Sequence, residues 1–248
     1  MSKVMLITGA SRGIGAATAR LAATQGYALC LNYLRQEAAA QALVEEITQA
    51  GGQAIAVQAN VADEGQVLQL FAQLDRHFGR LDVLVNNAGI LETQMRLQQM
   101  ELARWQRVFA ANVFGSFLCC REAIKRMSTR QGGSGGAIVN LSSVAAKLGA
   151  PGEYIDYAAA KGAIDSMTLG LAKEVAADGI RVNAVRPGVI ETEIHASGGE
   201  PDRVARVSQS VPMRRGGLAS EVAEAVLWLA SEQASYTSGA LLDVSGGR

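Results

Sequence analysis

The chain lacks net charge: its 23 Lys and Arg residues balance 23 Asp and Glu residues. No overall field draws in nucleic acid or an anionic membrane, so the expected ligands are small and discrete. Cysteine is scarce. Cys30, Cys119 and Cys120 show no C-x-x-C spacing, which argues against a thiolate metal cage or a dithiol redox motif and leaves buried apolar filling as their expected role. Histidine is scarcer still. His77 closes an expected helix and reads as structural, while His195 falls in an irregular segment where a lone histidine is expected to be solvated. No apolar run approaches the ~20 residues needed to cross a bilayer. The N-terminal Met1-Ser2-Lys3 leads straight into Val4-Met5-Leu6-Ile7, too short for a signal-peptide core, so a cytoplasmic location is expected.

What is present is an ordinary globular balance, 49% hydrophobic and 19% charged over 248 residues, enough for one large core. No linker or internal repeat divides the chain, so residues 1–248 are expected to form a single domain. Val4 to Ile7 reads as a buried strand, bounded by Thr8-Gly9. Further strands are expected at Tyr27–Asn32, Gln53–Ala59, Leu81–Val85, Ala137–Leu141, Arg181–Val185 and Ala240–Val244. Helices are expected at Gln36–Ala50, at Asp63–Phe78 with Asp63 as N-cap before the stripe Val67, Leu70, Phe71 and Leu74, and at Leu102–Met127. Strands alternating with helices imply βαβ units and an α/β, doubly wound parallel sheet of about seven strands with helices on both faces. The least regular segment, 191–211, contains Ser197-Gly198-Gly199-Glu200-Pro201; it is either a substrate-loop insertion acting as a lid or a long surface connection.

Two stretches carry chemistry. Between the first strand and an alanine-rich helix lies Thr8-Gly9-Ala10-Ser11-Arg12-Gly13-Ile14-Gly15. Glycines in that setting permit a tight turn, a close approach of backbone to a pyrophosphate and close packing of helix on strand, with phosphate at the helix N-terminus. The second stretch is Tyr157-Ala158-Ala159-Ala160-Lys161. On a helix the phenol and the ammonium share one face, and a nearby positive charge favours the ionised phenol. Alone, such a pair is an ordinary helix-surface contact. Tyr154 competes with Tyr157 but has Ala158, not lysine, four places on, which leaves it as a pocket wall or helix-start residue.

With the glycine turn, Asn86-Asn87-Ala88-Gly89, Asn112, Ser142-Ser143 and Tyr157-x-x-x-Lys161 in this order, the whole chain resembles the short-chain dehydrogenase/reductase family. The likeness is to its 3-oxoacyl-(acyl-carrier-protein) reductase-like and glucose 1-dehydrogenase-like members. The resemblance implies a Rossmann-like fold and an oxidoreductase interconverting a secondary alcohol and a ketone by hydride transfer. It implies Tyr157 as general acid/base, Lys161 lowering the phenol's pKa and holding the nicotinamide ribose, and Ser143 bonding the substrate oxygen, with Ser142 as the competing serine. Asn112 matches the asparagine that bends the mid-sheet helix and helps hold a water reaching the lysine. Tyr157 lies one position further from Ser143 than in the family's pattern, so an extra residue is expected within Lys147–Gly152.

The resemblance places the cofactor against Gly9, Ser11, Arg12, Gly13, Ile14 and Gly15, against Asn32, Tyr33 and Arg35, and against Asn60 and Val61 beside the adenine. Asn87, Ala88 and Gly89 would line the adenosine side, and Pro187, Gly188, Ile190 and Thr192 the nicotinamide side. An acidic residue after the second strand would favour NAD by bonding the ribose 2′-hydroxyl, but Asn32-Tyr33-Leu34-Arg35 has none. Arg12 and Arg35 suit a 2′-phosphate, so NADP is expected, with NAD as the alternative. The family also implies a homotetramer acting on a small-molecule carbonyl or alcohol, with no metal, nucleic acid or membrane partner. A non-catalytic nucleotide-binding regulator of the same fold is the competing function.

Overall fold

The strand β1 (Val4–Ile7) is enclosed on both faces, which is why it reads as an unbroken apolar run and not an alternating one. The structure, a computed structural model describing residues 2–248, builds outward from it. The first half continues with α1 (Gly13–Thr24), β2 (Ala28–Tyr33), α2 (Glu37–Gln49), β3 (Gln53–Gln58), α3 (Glu64–Phe78) and β4 (Val83–Asn86). The second half runs α4 (Leu102–Phe109), a π turn (Ala110–Phe114), α5 (Gly115–Met127), β5 (Gly136–Leu141), α6 (Ala145–Leu148) and α7 (Ile155–Glu174). It ends with β6 (Ile180–Pro187), α8 (Ile194–Ser197), α9 (Arg203–Ser208), α10 (Ala219–Ala230) and β7 (Leu241–Val244).

The seven strands form one sheet in the order β3-β2-β1-β4-β5-β6-β7, every neighbouring pair parallel. Successive strand residues point to opposite faces. Met5, Ile7, Leu29 and Leu31 pack under α1, α2 and α10 through Ala19, Leu43 and Val226. Leu6, Cys30, Leu84 and Ile138 turn the other way, onto Phe71 of α3, Cys119 of α5 and Ile164 of α7. The cysteines are therefore core filling, as expected, and burial pushes the Cys30 and Cys120 thiols up to about 12.

The doubly wound parallel sheet matches the sequence reading, with strand and helix ends moved by a residue or two. Asp63 caps α3, its Oδ1 accepting the Gln66 N–H at 3.0 Å. Two expectations change. The helix expected over Leu102–Met127 is not uniform: the π turn interrupts it and carries Asn112. Segment 191–211 is not featureless, because it folds into α8 and α9, each too short to show a helical period in the sequence.

Candidate active site

The strand order reverses between β1 and β4, and the loops leaving their C-terminal ends part there to open a groove. On the β1 side the glycine turn is pressed against Asn87 and Ala88. A Cβ on Gly9 would lie 2.9 Å from the Ala88 Cα, and one on Gly15 only 2.6 Å from the Gly9 carbonyl oxygen. Gly9 and Gly13 also hold φ of +62° and +55°, the left-handed region that side chains disfavour. Asn87 Nδ2 secures the turn by donating to the Thr8 and Gly9 carbonyls at 2.8 and 2.9 Å. Asn32 Oδ1 accepts the Gly9 N–H at 3.2 Å, so Asn32 clips the turn while reaching the groove wall.

That wall includes Gly9, Ser11, Arg12, Gly13 and Ile14 from the turn, Arg35 after β2, Asn60 and Val61 after β3, and Asn87, Ala88 and Gly89 after β4. Two expected residues are not brought there. Tyr33 is buried away from the groove, and Gly15 packs beneath the turn. Arg12 donates to Ser197 Oγ at 3.1 Å, linking the turn to α8.

A second chamber shares Ile14, Asn87, Gly89, Thr192 and Ile194 with the first, so the two form one trough. Asn112, Ser143, Tyr157, Lys161, Pro187, Gly188 and Ile190 line it. The π turn aims Asn112 inward: its Nδ2 donates to the carbonyls of Ile90 and Val108 at 3.0 and 2.9 Å. Its buried Oδ1 has no partner among the described residues and sits 2.5 Å from where a Gly89 Cβ would be, a point 3.7 Å from Lys161 Nζ. Gly89 is thus bare so that Asn112 and Lys161 can converge.

The serines separate by direction. Ser142 Oγ is buried and donates to the Lys161 carbonyl at 3.1 Å, whereas Ser143 lines the chamber together with Tyr157, its Oγ accepting the Ala145 N–H at 3.1 Å. Tyr157 keeps some surface open to the chamber, yet burial pushes its phenol up to about 12, with Ser143 drawing it down in part. Burial likewise presses the Lys161 ammonium down to about 8, Asp165 opposing. In the protein alone desolvation dominates both groups, and Lys161 Nζ donates to the Leu141 carbonyl at 2.6 Å.

Three wall residues were missed or misjudged from sequence. His195 is buried, not solvated, because α8 folds it over the chamber. Its Nε2 lies 3.0 Å from the Ile190 carbonyl, which only accepts, so Nε2 carries the hydrogen; burial holds the ring below its ordinary pKa. Arg203 lies over the Tyr154 ring at 4.9 Å and pairs with Glu153 at 2.6 Å and Glu200 at 3.1 Å. Tyr154 is the wall and helix-start residue it was expected to be. Within Lys147–Gly152, where an extra residue is expected, Gly149, Ala150 and Gly152 all take positive φ, and Ala150 joins the wall.

Residues 9–248 match the family described as Enoyl-(Acyl carrier protein) reductase. The chain is 58% identical over 245 residues to an uncharacterized oxidoreductase, YgfF, of Escherichia coli K12, covering 99% of each. It is 42% identical over 248 residues to a 3-oxoacyl-(acyl-carrier-protein) reductase of a Synechocystis species, covering 99% of this chain and 96% of the other. A mutant short-chain dehydrogenase/reductase of Serratia marcescens superposes with a TM-score of 0.90 at 35% identity, over 99% of this chain and 97% of that one. The same TM-score, 0.90, and identity, 35%, over 99% and 97% of the two chains, hold for a blue fluorescent protein from a metagenomic library in complex with NADPH. From end to end, then, this chain belongs to the short-chain dehydrogenase/reductase family of NAD(P)-dependent oxidoreductases.

Proposed function

We propose that the protein is an NADP-dependent oxidoreductase interconverting a secondary alcohol and a ketone, with Tyr157 as general acid/base. The observation that carries this reading is the meeting of Tyr157, Ser143, Lys161 and Asn112 in a chamber continuous with the glycine turn. The trough fits a dinucleotide: bare glycines at Gly9 and Gly13 admit a pyrophosphate against the N-terminus of α1. Leu34, Arg35 and Gln36 follow β2 in the wall without a carboxylate among them, and Arg12 lies in the same wall, which suits a 2′-phosphate. The NADPH carried by the solved blue fluorescent protein supports this choice.

When bound, the cofactor supplies or takes the hydride. Ser143 holds the substrate oxygen and Tyr157 gives it a proton in reduction, or takes one from the alcohol in oxidation. Such proton transfer contributes roughly 10²–10⁴-fold. Lys161 holds the nicotinamide ribose hydroxyls and keeps a positive charge beside the phenol. Asn112 Oδ1, near Lys161 and without a partner among the described residues, anchors a water through which the lysine exchanges protons with solvent. Pro187, Gly188, Ile190 and Thr192 border the nicotinamide. Segment 191–211 acts as a lid, its Arg203 tied to Glu153 at the start of α7, and the whole chain works as one dinucleotide-binding and catalytic domain. Phe114 at the end of the π turn and Phe117 on α5, 57% and 50% exposed, support assembly as a homotetramer.

The reductase name of the Synechocystis relative favours 3-oxo compounds as first candidates. The non-catalytic alternative finds no support among relatives named as oxidoreductases and reductases. Purified protein with NADPH and a panel of 3-oxo esters, simple ketones and sugars tests the proposal. Consumption of NADPH with at least one class is expected; tight NADPH binding with no turnover on any would overturn it.

A further inference from the structure

Arg104 on α4 and Asp156 on α7 form an ion pair with side chains only 4% and 2% exposed. Arg104 Nε donates to Asp156 Oδ2 at 2.6 Å and Nη2 to Oδ1 at 3.2 Å, while Nη1 donates to the Thr93 carbonyl. Asp156 Oδ1 also accepts the backbone N–H of Tyr157 at 2.9 Å. A buried charge is tolerated only when paired and fully hydrogen-bonded, and the planar guanidinium fork fixes direction as well as distance. One side chain therefore pins α4, the connection after β4 and the first turn of α7. The backbone bond from Met95 N to the Glu153 carbonyl, 3.1 Å, closes the same junction. Asp156 stands in the first turn of α7, where the helix's partial positive charge favours an anion.

We propose that Arg104 is a positioning residue: through Asp156 it sets the start of α7, and with it the seat of the Tyr157 phenol, and it balances the carboxylate adjacent to that residue. The inference rests on the reading of Tyr157 as acid/base. Around the phenol stand Lys161, with Asp165 acting on it, from α7 itself, Ser143 after β5, Asn112 from the π turn, and His195 and Glu153-paired Arg203 in the same chamber wall. Against that background an unpaired Asp156 would add an uncompensated negative charge to the first turn of α7, one residue before the phenol, and like charges disfavour the ionised form.

The test uses R104M, R104K, D156N and the double variant R104M/D156N, each also made with Tyr157→Phe. With NADP⁺ bound, the tyrosinate absorbance of each variant minus that of its Tyr157→Phe counterpart isolates the Tyr157 titration. Turnover of ethyl acetoacetate with NADPH, and NADPH affinity by fluorescence, complete the set. R104M should raise the phenol pKa by about half a unit or more. It should also lower kcat by about tenfold or more while NADPH affinity stays within about twofold, because small misplacements at a reacting group cost rate. The double variant, lacking both charges, should return the phenol titration to its wild-type position. R104K keeps the charge without the fork, so it should titrate normally yet turn over slowly. Wild-type titration and kcat in R104M, with only lowered thermal stability, would overturn the proposal. So would a double variant that keeps the raised pKa, or an R104K with full kcat. Activity surviving in Tyr157→Phe alone would instead overturn the reading of the site, whatever the Arg104 variants do.

Discussion

Lys161 Nζ lies 5.5 Å from the centre of the Tyr157 ring and donates to the Leu141 carbonyl, so in the protein alone the ammonium faces the ring while its own hydrogen bond goes to the backbone. The phenol is high because it is buried, and Ser143 draws it down in part. That division of labour makes the two adjacent serines separable.

Ser143→Ala removes the hydroxyl that draws the Tyr157 phenol down. The phenol pKa therefore rises, and in alcohol oxidation, which needs the base form, the activity limb moves to higher pH. In reduction the phenol is already protonated, so the rate falls by about 10²-fold or more without that shift. Ser142→Ala should leave the limb in place and cost about 0.5–1.5 kcal/mol of stability, as loss of one buried hydrogen bond does. The pH profiles of kcat/KM and thermal unfolding of both variants check this.

Arg35 stands exposed in the groove wall after β2. Its replacement by Ala should raise KM for NADPH by about 10-fold or more, as loss of a charge-assisted phosphate contact does, and leave KM for NADH nearly unchanged. Equal effects on the two cofactors would remove Arg35 from the phosphate site.

Legibility in the sequence followed the length scale of each interaction. The parallel sheet could be read because β1 and β4 are short apolar runs between turn residues, and Tyr157 with Lys161 because a helix brings i and i+4 together. Ser143 could not be separated from Ser142 with certainty, since adjacent residues at a strand end face opposite ways and only register decides which meets the chamber. The π turn leaves the apolar pattern of Leu102–Met127 almost intact, so periodicity reads one helix, and only the family resemblance pointed to a bend at Asn112. His195 looked solvated because its burial comes from α8 docking, with no local periodicity to announce it. The Arg104–Asp156 pair joins residues 52 positions apart, and nothing in either helix marks the other as partner.

The contacts of segment 191–211, proposed as the lid, carry a pH signature. Arg206 and Arg203 hold the Glu200 carboxyl down to about 2 from an ordinary 4.5. A lowered carboxyl pKa stabilises the folded form above the unfolded value and loses that contribution as pH falls through the folded one, so Glu200 should keep the lid closed through mildly acidic pH. Glu153→Gln leaves Arg203 and Arg206 sharing Glu200 alone. It should raise KM for the carbonyl substrate by roughly 3–10-fold, with NADPH affinity little changed, since a charged hydrogen bond at a partly exposed site contributes modestly. Faster limited proteolysis within 191–211 should accompany it.

The most direct measurement is hydride transfer in Tyr157→Phe, followed as NADPH consumption with the best carbonyl substrate of the panel beside a fluorescence titration of NADPH. The account predicts a rate lower by at least about 10²-fold, the contribution of the proton donor, with NADPH binding within about twofold of wild type. Wild-type turnover in that variant would contradict it.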